Sequence, residues 1–261
     1  MLAGQTANQS FSILRATPSP HIEIKSEGNA HALTRIPELD TEEVFESKMI
    51  VEYAVEAKSF GLTQASISRD PDHTLSDFCK HRKFWETKDP LIRRTAEKIR
   101  RSSDSTETYL SGAFSWIRDK VKLREPQQTR LGAAHAIRSL SGDCDEISDL
   151  FIAFCRSAGI PSRRVAGVFY HGHASEGRLF EWHAWAEANL GGDIWIPFDP
   201  SLGFFASISE RHIARCCIGR QSDYPIRRVT WRSHPDRSPT LNDDDIENII
   251  ALSNQLSSVS Q

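Results

Sequence analysis

Ser141-Gly142-Asp143-Cys144-Asp145-Glu146-Ile147-Ser148-Asp149-Leu150-Phe151-Ile152-Ala153-Phe154-Cys155-Arg156-Ser157-Ala158-Gly159-Ile160-Pro161 is the stretch that decides the fold. Ile147, Leu150, Phe151, Phe154 and Ala158 recur at helical spacing, so a helix with one apolar face begins at or just before Cys144. Gly159, followed by Pro161, ends it. Upstream the period is also helical. Asp89-Pro90 predicts a helix running to about Arg101, because proline is tolerated at the first helical position. Leu110, Ala113, Phe114, Ile117 and Val121 predict another that starts near Asp104, with Arg118 and Lys120 outward. Downstream the period changes to two. Val165 to Tyr170, Glu181 to Ala188 and Ile194 to Asp199 read as strands, with a polar loop at 171–178. Further strands are expected over Ile213 to Ile218 and Ile226 to Trp231, and a terminal helix over Asn242 to Leu256. Before residue 60 the pattern is weak. Phe11 to Leu14 and His21 to Lys25 suit short strands, and 44–59 fits helix and strand equally. Helices first and an antiparallel sheet afterwards make the α+β class.

The bulk numbers narrow the function. The 261 residues allow one large domain or one domain with an appendage, and 39% hydrophobic content suffices for a core. A net charge of -3 gives no reason to expect nucleic acid or an anionic membrane as partner. No apolar run approaches the roughly 18 residues that span a bilayer. The start, Met1-Leu2-Ala3-Gly4-Gln5, lacks the basic and apolar regions of a secretion signal. The five cysteines, Cys79, Cys144, Cys155, Cys216 and Cys217, are scattered and odd in number, which suits reduced thiols in a cytoplasm.

Three residues carry chemistry: Cys144, His183 in Trp182-His183-Ala184-Trp185, and Asp199 in Phe198-Asp199-Pro200. Thiol, imidazole and carboxylate are a nucleophile, a base and an orienting group. A cysteine at a helix N-terminus gains from the macrodipole and from unpaired N–H groups, both of which favour thiolate. Asp143, Asp145 and Glu146 oppose that gain, so a partner imidazolium has to supply most of the activation. Strand parity tests the trio. A two-residue turn at Gly191-Gly192 would set His183 against Pro200 and send Asp199 to the other face. An odd-length loop or a bulge pairs His183 with Asp199 instead, and is therefore expected. Other clusters are weaker. His171-Gly172-His173 and Cys79-x-His81 offer pairs of ligand types, short of the three or four that zinc needs, so no metal is assigned.

Taken together, these blocks resemble the transglutaminase-like superfamily, in particular its bacterial members. The resemblance rests on Ser141 to Glu146, on Leu150 to Arg163 with its Gly159-Ile160-Pro161-Ser162-Arg163 link, on Gly167 to Tyr170, on Trp182 to Glu187 and on Trp195 to Ser201. It covers roughly 89 to 230. It implies a papain-like core, with the nucleophile helix packed on an antiparallel sheet. Cys144 would be the nucleophile, His183 the base and Asp199 the residue that orients the base. Residues 1–60 would be a short N-terminal β-rich segment, a truncated form of the small domain that precedes such cores. Residues 61–235 would form the catalytic core, and 236–261 a C-terminal helix and tail. The family's second oxyanion donor is an upstream side chain with no motif here. Trp116 is a candidate, although its spacing is that of a core residue. Trp182 and Trp185 flank the histidine on opposite faces and are candidate groove residues, with plain packing as the competing reading.

The expected activity is cysteine-dependent acyl transfer through a thioester, with hydrolysis of an amide or peptide bond as the default. An amine acceptor would make the chain a transamidase. Loss of catalysis would leave a transglutaminase-like interaction module. The expected partner is a peptide, protein or small-molecule amide. No cofactor is implied.

Overall fold

A computed structural model describes residues 2–3, 6, 8–24, 29–33, 48–62, 75–127, 129–171, 180–192 and 194–220. The chain divides into two compact units, Met1–Pro225 and Ile226–Gln261. The strand expected over 226–231 and the terminal helix over 242–256 lie outside the described residues.

The chain opens with six strands: β1 (Leu2–Ala3), β2 (Gln9–Thr17), β3 (His21–Ile24), β4 (Asn29–Leu33), β5 (Lys48–Val55) and β6 (Lys58–Ser59). The ambiguous 44–59 segment is thus strand in its described part. A short 3₁₀ turn, Ser76–Cys79, precedes α1 (Pro90–Arg101) and α2 (Thr106–Lys120). Then come β7 (Lys122–Leu123), α3 (Ala133–Ser139), β8 (Ser141–Gly142) and α4 (Cys144–Ser157). The chain continues with β9 (Ser162–Tyr170), β10 (Phe180–Asn189), β11 (Trp195–Phe198), β12 (Ser207–Ile208) and β13 (His212–Ile218). This is the expected α+β arrangement.

Local chemistry sets the helix ends. Asp89 caps α1 by accepting from Leu91 N–H at 2.9 Å, with Pro90 at the first helical position. Ser105 and Thr108 form a capping box on α2, and Asp143 and Glu146 form one on α4. At its far end α4 closes in a Schellman motif. Ile160 N–H donates to the Cys155 carbonyl at 2.9 Å and Gly159 N–H to the Arg156 carbonyl at 3.0 Å. Gly159 sits at φ +77, which an L side chain adopts only with strain.

Helix α4 is the centre of the fold. The sequence predicts one apolar face, yet every residue from Glu146 to Arg156 is buried. Its polar residues can be buried because each finds a partner. Glu146 accepts from Leu131 N–H at 2.7 Å and pairs with Arg124. Asp149 is gripped by Arg130 and accepts from Trp85 Nε1 at 2.8 Å. Arg156 donates to the carbonyls of Lys80, Ser162 and Gly219. Each fully buried leucine or phenylalanine around them contributes on the order of 1.5–3 kcal/mol.

The main sheet is antiparallel, in the order β11-β10-β9-β13. Ala166, Ala186, Ala188, Ile196, Phe198, Cys216 and Ile218 share the main core with α4. Val165, Trp185, Ile208, Ala214 and Cys217 form a second cluster. Strand β13 shifts register between Ala214 and Cys216. Beside that shift, a Cβ on Gly167 would stand 2.1 Å from the Ile213 carbonyl oxygen, so only glycine allows the close approach.

The β13 edge is closed by two buried carboxamides. Gln9 donates to the Ala214 carbonyl and accepts from its N–H, both at 2.8 Å. Asn29 does the same to Cys217, at 2.7 and 2.8 Å. Side chains thus occupy positions that a neighbouring strand would otherwise take.

Candidate active site

Cys144 is the first residue of α4, capped by Asp143. Asp143 Oδ1 accepts from Asp145 N–H at 2.9 Å. The N–H of a first helical residue has no partner within the helix, and that of Cys144 makes no hydrogen bond among the described residues. The thiol points to Asp145 Oδ1 at 4.0 Å. Burial pushes its pKa far up, Asp145 and Asp143 push it further, and Ala184 N–H and Arg164 oppose them. At rest the sulfur is therefore a thiol. Arg164, itself buried, pairs with Asp145 and holds its carboxylate beside the sulfur. Arg124, Gln127, Arg130 and Leu131 are bound alongside this helix end. There Gln127 N–H donates to Asp143 Oδ2 at 2.8 Å.

Strand parity puts His183 and Asp199 on one face. Strand β10 pairs with β11 as Ala186↔Phe198 and Asn189↔Trp195, leaving a five-residue connection from Leu190 to Ile194. The loop is odd in length, as the two side chains require. Its register differs by two residues from a direct His183–Asp199 pair, so Asp199 reaches His183 diagonally from beyond the end of β11. His183 Nε2 lies 2.7 Å from Asp199 Oδ2.

Asp199 divides its work between its two oxygens. Oδ1 accepts from Ser201 N–H at 3.0 Å, Leu202 N–H at 3.1 Å and Ser201 Oγ at 2.5 Å, which closes a turn after β11. Oδ2 accepts from His183 and, at 3.2 Å, from His212 Nε2. The carboxyl group is only 2% exposed. Burial alone would raise its pKa, but the hydrogen bonds from His183 and His212 hold it well below the usual carboxylate range. An ionised carboxylate only accepts, so both imidazoles carry their proton on Nε2. Nδ1 of His183 is then the basic nitrogen.

Ala184 joins the two halves. Its carbonyl accepts from Ser148 Oγ at 2.9 Å, and its N–H is close enough to the Cys144 sulfur to oppose the rise of its pKa. The start of α4 thus lies against β10 at the residue that follows His183. Among the described residues, no hydrogen bond joins the sulfur to the imidazole. At the other end of α4, Asn189 N–H donates to the Pro161 carbonyl at 2.9 Å, so the helix runs along β10 from Ala184 towards Asn189.

The three tryptophans fall in different places. Trp182 is 55% exposed and stands on the α4 side of the sheet, beyond the helix N-terminus. The Arg215 guanidinium lies 5.1 Å from its ring. Trp185 is buried in the second core cluster and stacks on His183 at 6.1 Å. Trp116 packs edge-on against Phe154 at 5.5 Å. Phe154 is about 15 Å along α4 from Cys144, and Trp116 is a half-buried ring packed against the main core.

Among the described residues, two clusters carry metal-ligand atom types: His183, Asp199 and His212, and Asp143, Cys144 and Asp145. In the first, both imidazoles spend Nε2 on one carboxylate oxygen. Of the weaker pairs, His171 bonds Glu181 at 3.1 Å and Cys79 bonds the Gly159 carbonyl at 3.5 Å; His173 lies outside the described residues. His212 was not singled out by sequence reading. Its signal was faint, a histidine one residue before the expected strand at Ile213.

Residues 93–200 match the family model of the transglutaminase-like superfamily. Protein YebA of Bacillus subtilis, itself uncharacterised, is 26% identical over 153 residues, which are 51% of this chain and 20% of that protein. The chain therefore spans about a fifth of the length of that relative. A proposed cysteine protease from Cytophaga hutchinsonii superposes with a TM-score of 0.55 at 18% identity, over 85% of this chain and 74% of that one. The periplasmic domain of TgpA from Pseudomonas aeruginosa, bound to ethylmercury, superposes at 0.45 and 15% identity, over 77% and 69%. Residues 93–200, which carry the helix headed by Cys144 and the strands that bring His183 and Asp199 together, thus match the transglutaminase-like superfamily.

Proposed function

We propose that this chain is a cysteine-dependent amidase or peptidase that works through a thioester on Cys144. The observation that carries the reading is the 2.7 Å bond from His183 Nε2 to Asp199 Oδ2, beside a cysteine at a helix N-terminus. Asp199 fixes the tautomer, so His183 Nδ1 takes the thiol proton as Sγ attacks the carbonyl carbon. The carbonyl oxygen gains the negative charge and accepts from the Cys144 N–H, which has no other partner among the described residues. Collapse breaks the C–N bond, and the amine leaves with the proton from His183. Water then attacks the thioester, His183 accepts its proton, and the acid leaves as the proton returns to sulfur.

The resting thiol is part of this reading. Asp145 and Asp143 disfavour a standing thiolate, so deprotonation accompanies attack on a bound substrate. Trp182 is the exposed tryptophan of the three, and we assign it to the substrate side. Partners are peptides, proteins or small-molecule amides. An odd count of five cysteines fits a reducing compartment, and we place the protein in the cytoplasm; cell fractionation tests this.

Mass spectrometry of the protein mixed with glutamine peptides, amides and esters tests the reaction, with and without a primary amine. A Cys144 acyl adduct that decays to free acid supports hydrolysis. An amine-linked product makes the chain a transamidase. No adduct with any donor, and behaviour identical to Cys144→Ala, would leave an interaction module.

A further inference from the structure

We propose that His212 is a positioning residue that shares Asp199 with His183 and thereby keeps His183 neutral and ready to accept a proton. The inference rests on the reading of His183 as base. It comes from a feature that the three-residue arrangement does not need, a second imidazole on the same carboxylate oxygen. His183 Nε2 and His212 Nε2 reach Asp199 Oδ2 at 2.7 and 3.2 Å. The far nitrogen of His212, Nδ1, lies 2.8 Å from Ser209 Oγ. Since Nε2 must donate to the carboxylate, the neutral ring accepts at Nδ1 from the serine hydroxyl. Ser209 therefore fixes the His212 tautomer that Asp199 requires.

Geometry makes this arrangement stiff. His212 is 1% exposed. Phe169, Phe204 and Trp185 meet its ring edge-on at 4.9, 5.0 and 5.3 Å. The His183 ring lies 5.7 Å away, between Phe169 at 5.8 Å and Trp185 at 6.1 Å. Neither imidazole can turn without moving an aromatic neighbour.

The physical consequence follows from competition for one oxygen. A carboxylate that faces a single imidazole stabilises its protonated form strongly. A second N–H donor on the same oxygen draws off part of that negative charge. The imidazolium of His183 is then less favoured, and the neutral ring, which alone can accept a thiol proton, persists to lower pH. The groups that face this centre are His183 from β10, His212 from β13, and Ser201 and Ser209 from the turns. Arg118 of α2 bonds the Pro200 carbonyl at 3.1 Å, and Cys144 approaches through Ala184.

The test is a ¹⁵N-histidine NMR titration of the full chain, with His183 assigned from His183→Ala. It compares the unaltered protein with His212→Phe, His212→Gln and Ser209→Ala, each shown to be folded by its thermal transition. Phenylalanine fills the aromatic cage without a donor, whereas glutamine retains an N–H. In His212→Phe the midpoint of His183 should rise by about one pH unit, the scale of one charge-assisted hydrogen bond. In His212→Gln it should return most of the way. Ser209→Ala disturbs the cage least and should shift the midpoint in the same direction by less, which keeps the test open should His212→Phe fail to fold. An unchanged His183 midpoint in folded His212→Phe or Ser209→Ala overturns the proposal, as does a shift that glutamine does not reverse. The alkylation rate of Cys144 in His183→Ala is measured alongside. If that rate equals the unaltered one, the reading of His183 as base fails, whatever the titration shows.

Discussion

The two halves of the site are built on opposite electrostatic terms. Around Cys144 the carboxylates of Asp143 and Asp145 crowd a sulfur that burial already holds protonated. Around His183 a single carboxylate collects five hydrogen bonds and stays ionised despite its burial. Asp199 is buried, whereas the side chain of Asp145 is 30% exposed. Asp145 has its pKa pushed up by burial in spite of Arg164, and Asp199 has its pKa pulled down. What differs is the number of donors aimed at each. Charge at rest is kept on Asp199, and the sulfur of Cys144 is held neutral.

Removing the orienting charge should break this comparison most severely. Asp199→Asn keeps the shape but allows the wrong imidazole tautomer, and turnover of an acyl donor should fall by roughly 10³–10⁴-fold. Next comes the support beneath the nucleophile. Asp149→Ala leaves the Arg130 guanidinium without its buried partner and should cost about 3–5 kcal/mol in urea unfolding.

Asp145→Asn sharpens the other side of the comparison. It removes a charge that holds the thiol up, so the midpoint for Cys144 alkylation should move to lower pH. A downward move of about one unit corresponds to a tenfold rise in thiolate at a given pH. A slower reaction would count against the role given to Asp145. The smallest effects belong to the sheet edge. Gln9→Ala and Asn29→Ala each leave a main-chain pair of β13 unsatisfied and should cost about 1–3 kcal/mol each in denaturant unfolding.

The pH dependence of stability has a definite sign. The carboxyl of Asp199 has a folded pKa below its unfolded one. Its contribution is therefore present above the ordinary carboxylate range and is lost only as pH falls towards the depressed folded value. Glu187, buried beside Arg163, has a raised pKa because desolvation exceeds the help from the arginine. Its ionisation opposes folding above the ordinary glutamate range, and that opposition fades as pH falls. Asp199→Asn should flatten the acid side of the stability curve, and Glu187→Gln should remove the Glu187 share of the pH dependence. Urea midpoints across the acid range check both.

Much of this was legible from the residues. Asp89-Pro90 marked the start of α1, and Gly159 with Pro161 marked the end of α4, because caps are local chemistry. Parity alone required an odd loop between β10 and β11, though not its five-residue length. Helix α3 went unread. It has seven residues and starts after Gly132 at φ +84 with no side-chain cap, so neither period nor punctuation marks it. The burial of Glu146, Asp149 and Arg156 was equally hidden, since their partners come from distant segments. His212 escaped for the same reason. Its environment is made by Asp199, Ser209 and three aromatic rings that meet only in the folded chain. Asp199 closes the turn after β11 with one oxygen and meets His183 with the other.

The most direct test of the central claim is the alkylation rate of Cys144 by iodoacetamide at neutral pH, resolved by mass spectrometry against the other four cysteines. The buried Cys155 serves as the slow reference. The account predicts that Cys144 reacts faster than Cys155, and that His183→Ala and Asp199→Asn each slow it by about tenfold or more while Cys155 is unchanged. A Cys144 rate that is indifferent to both substitutions would contradict it.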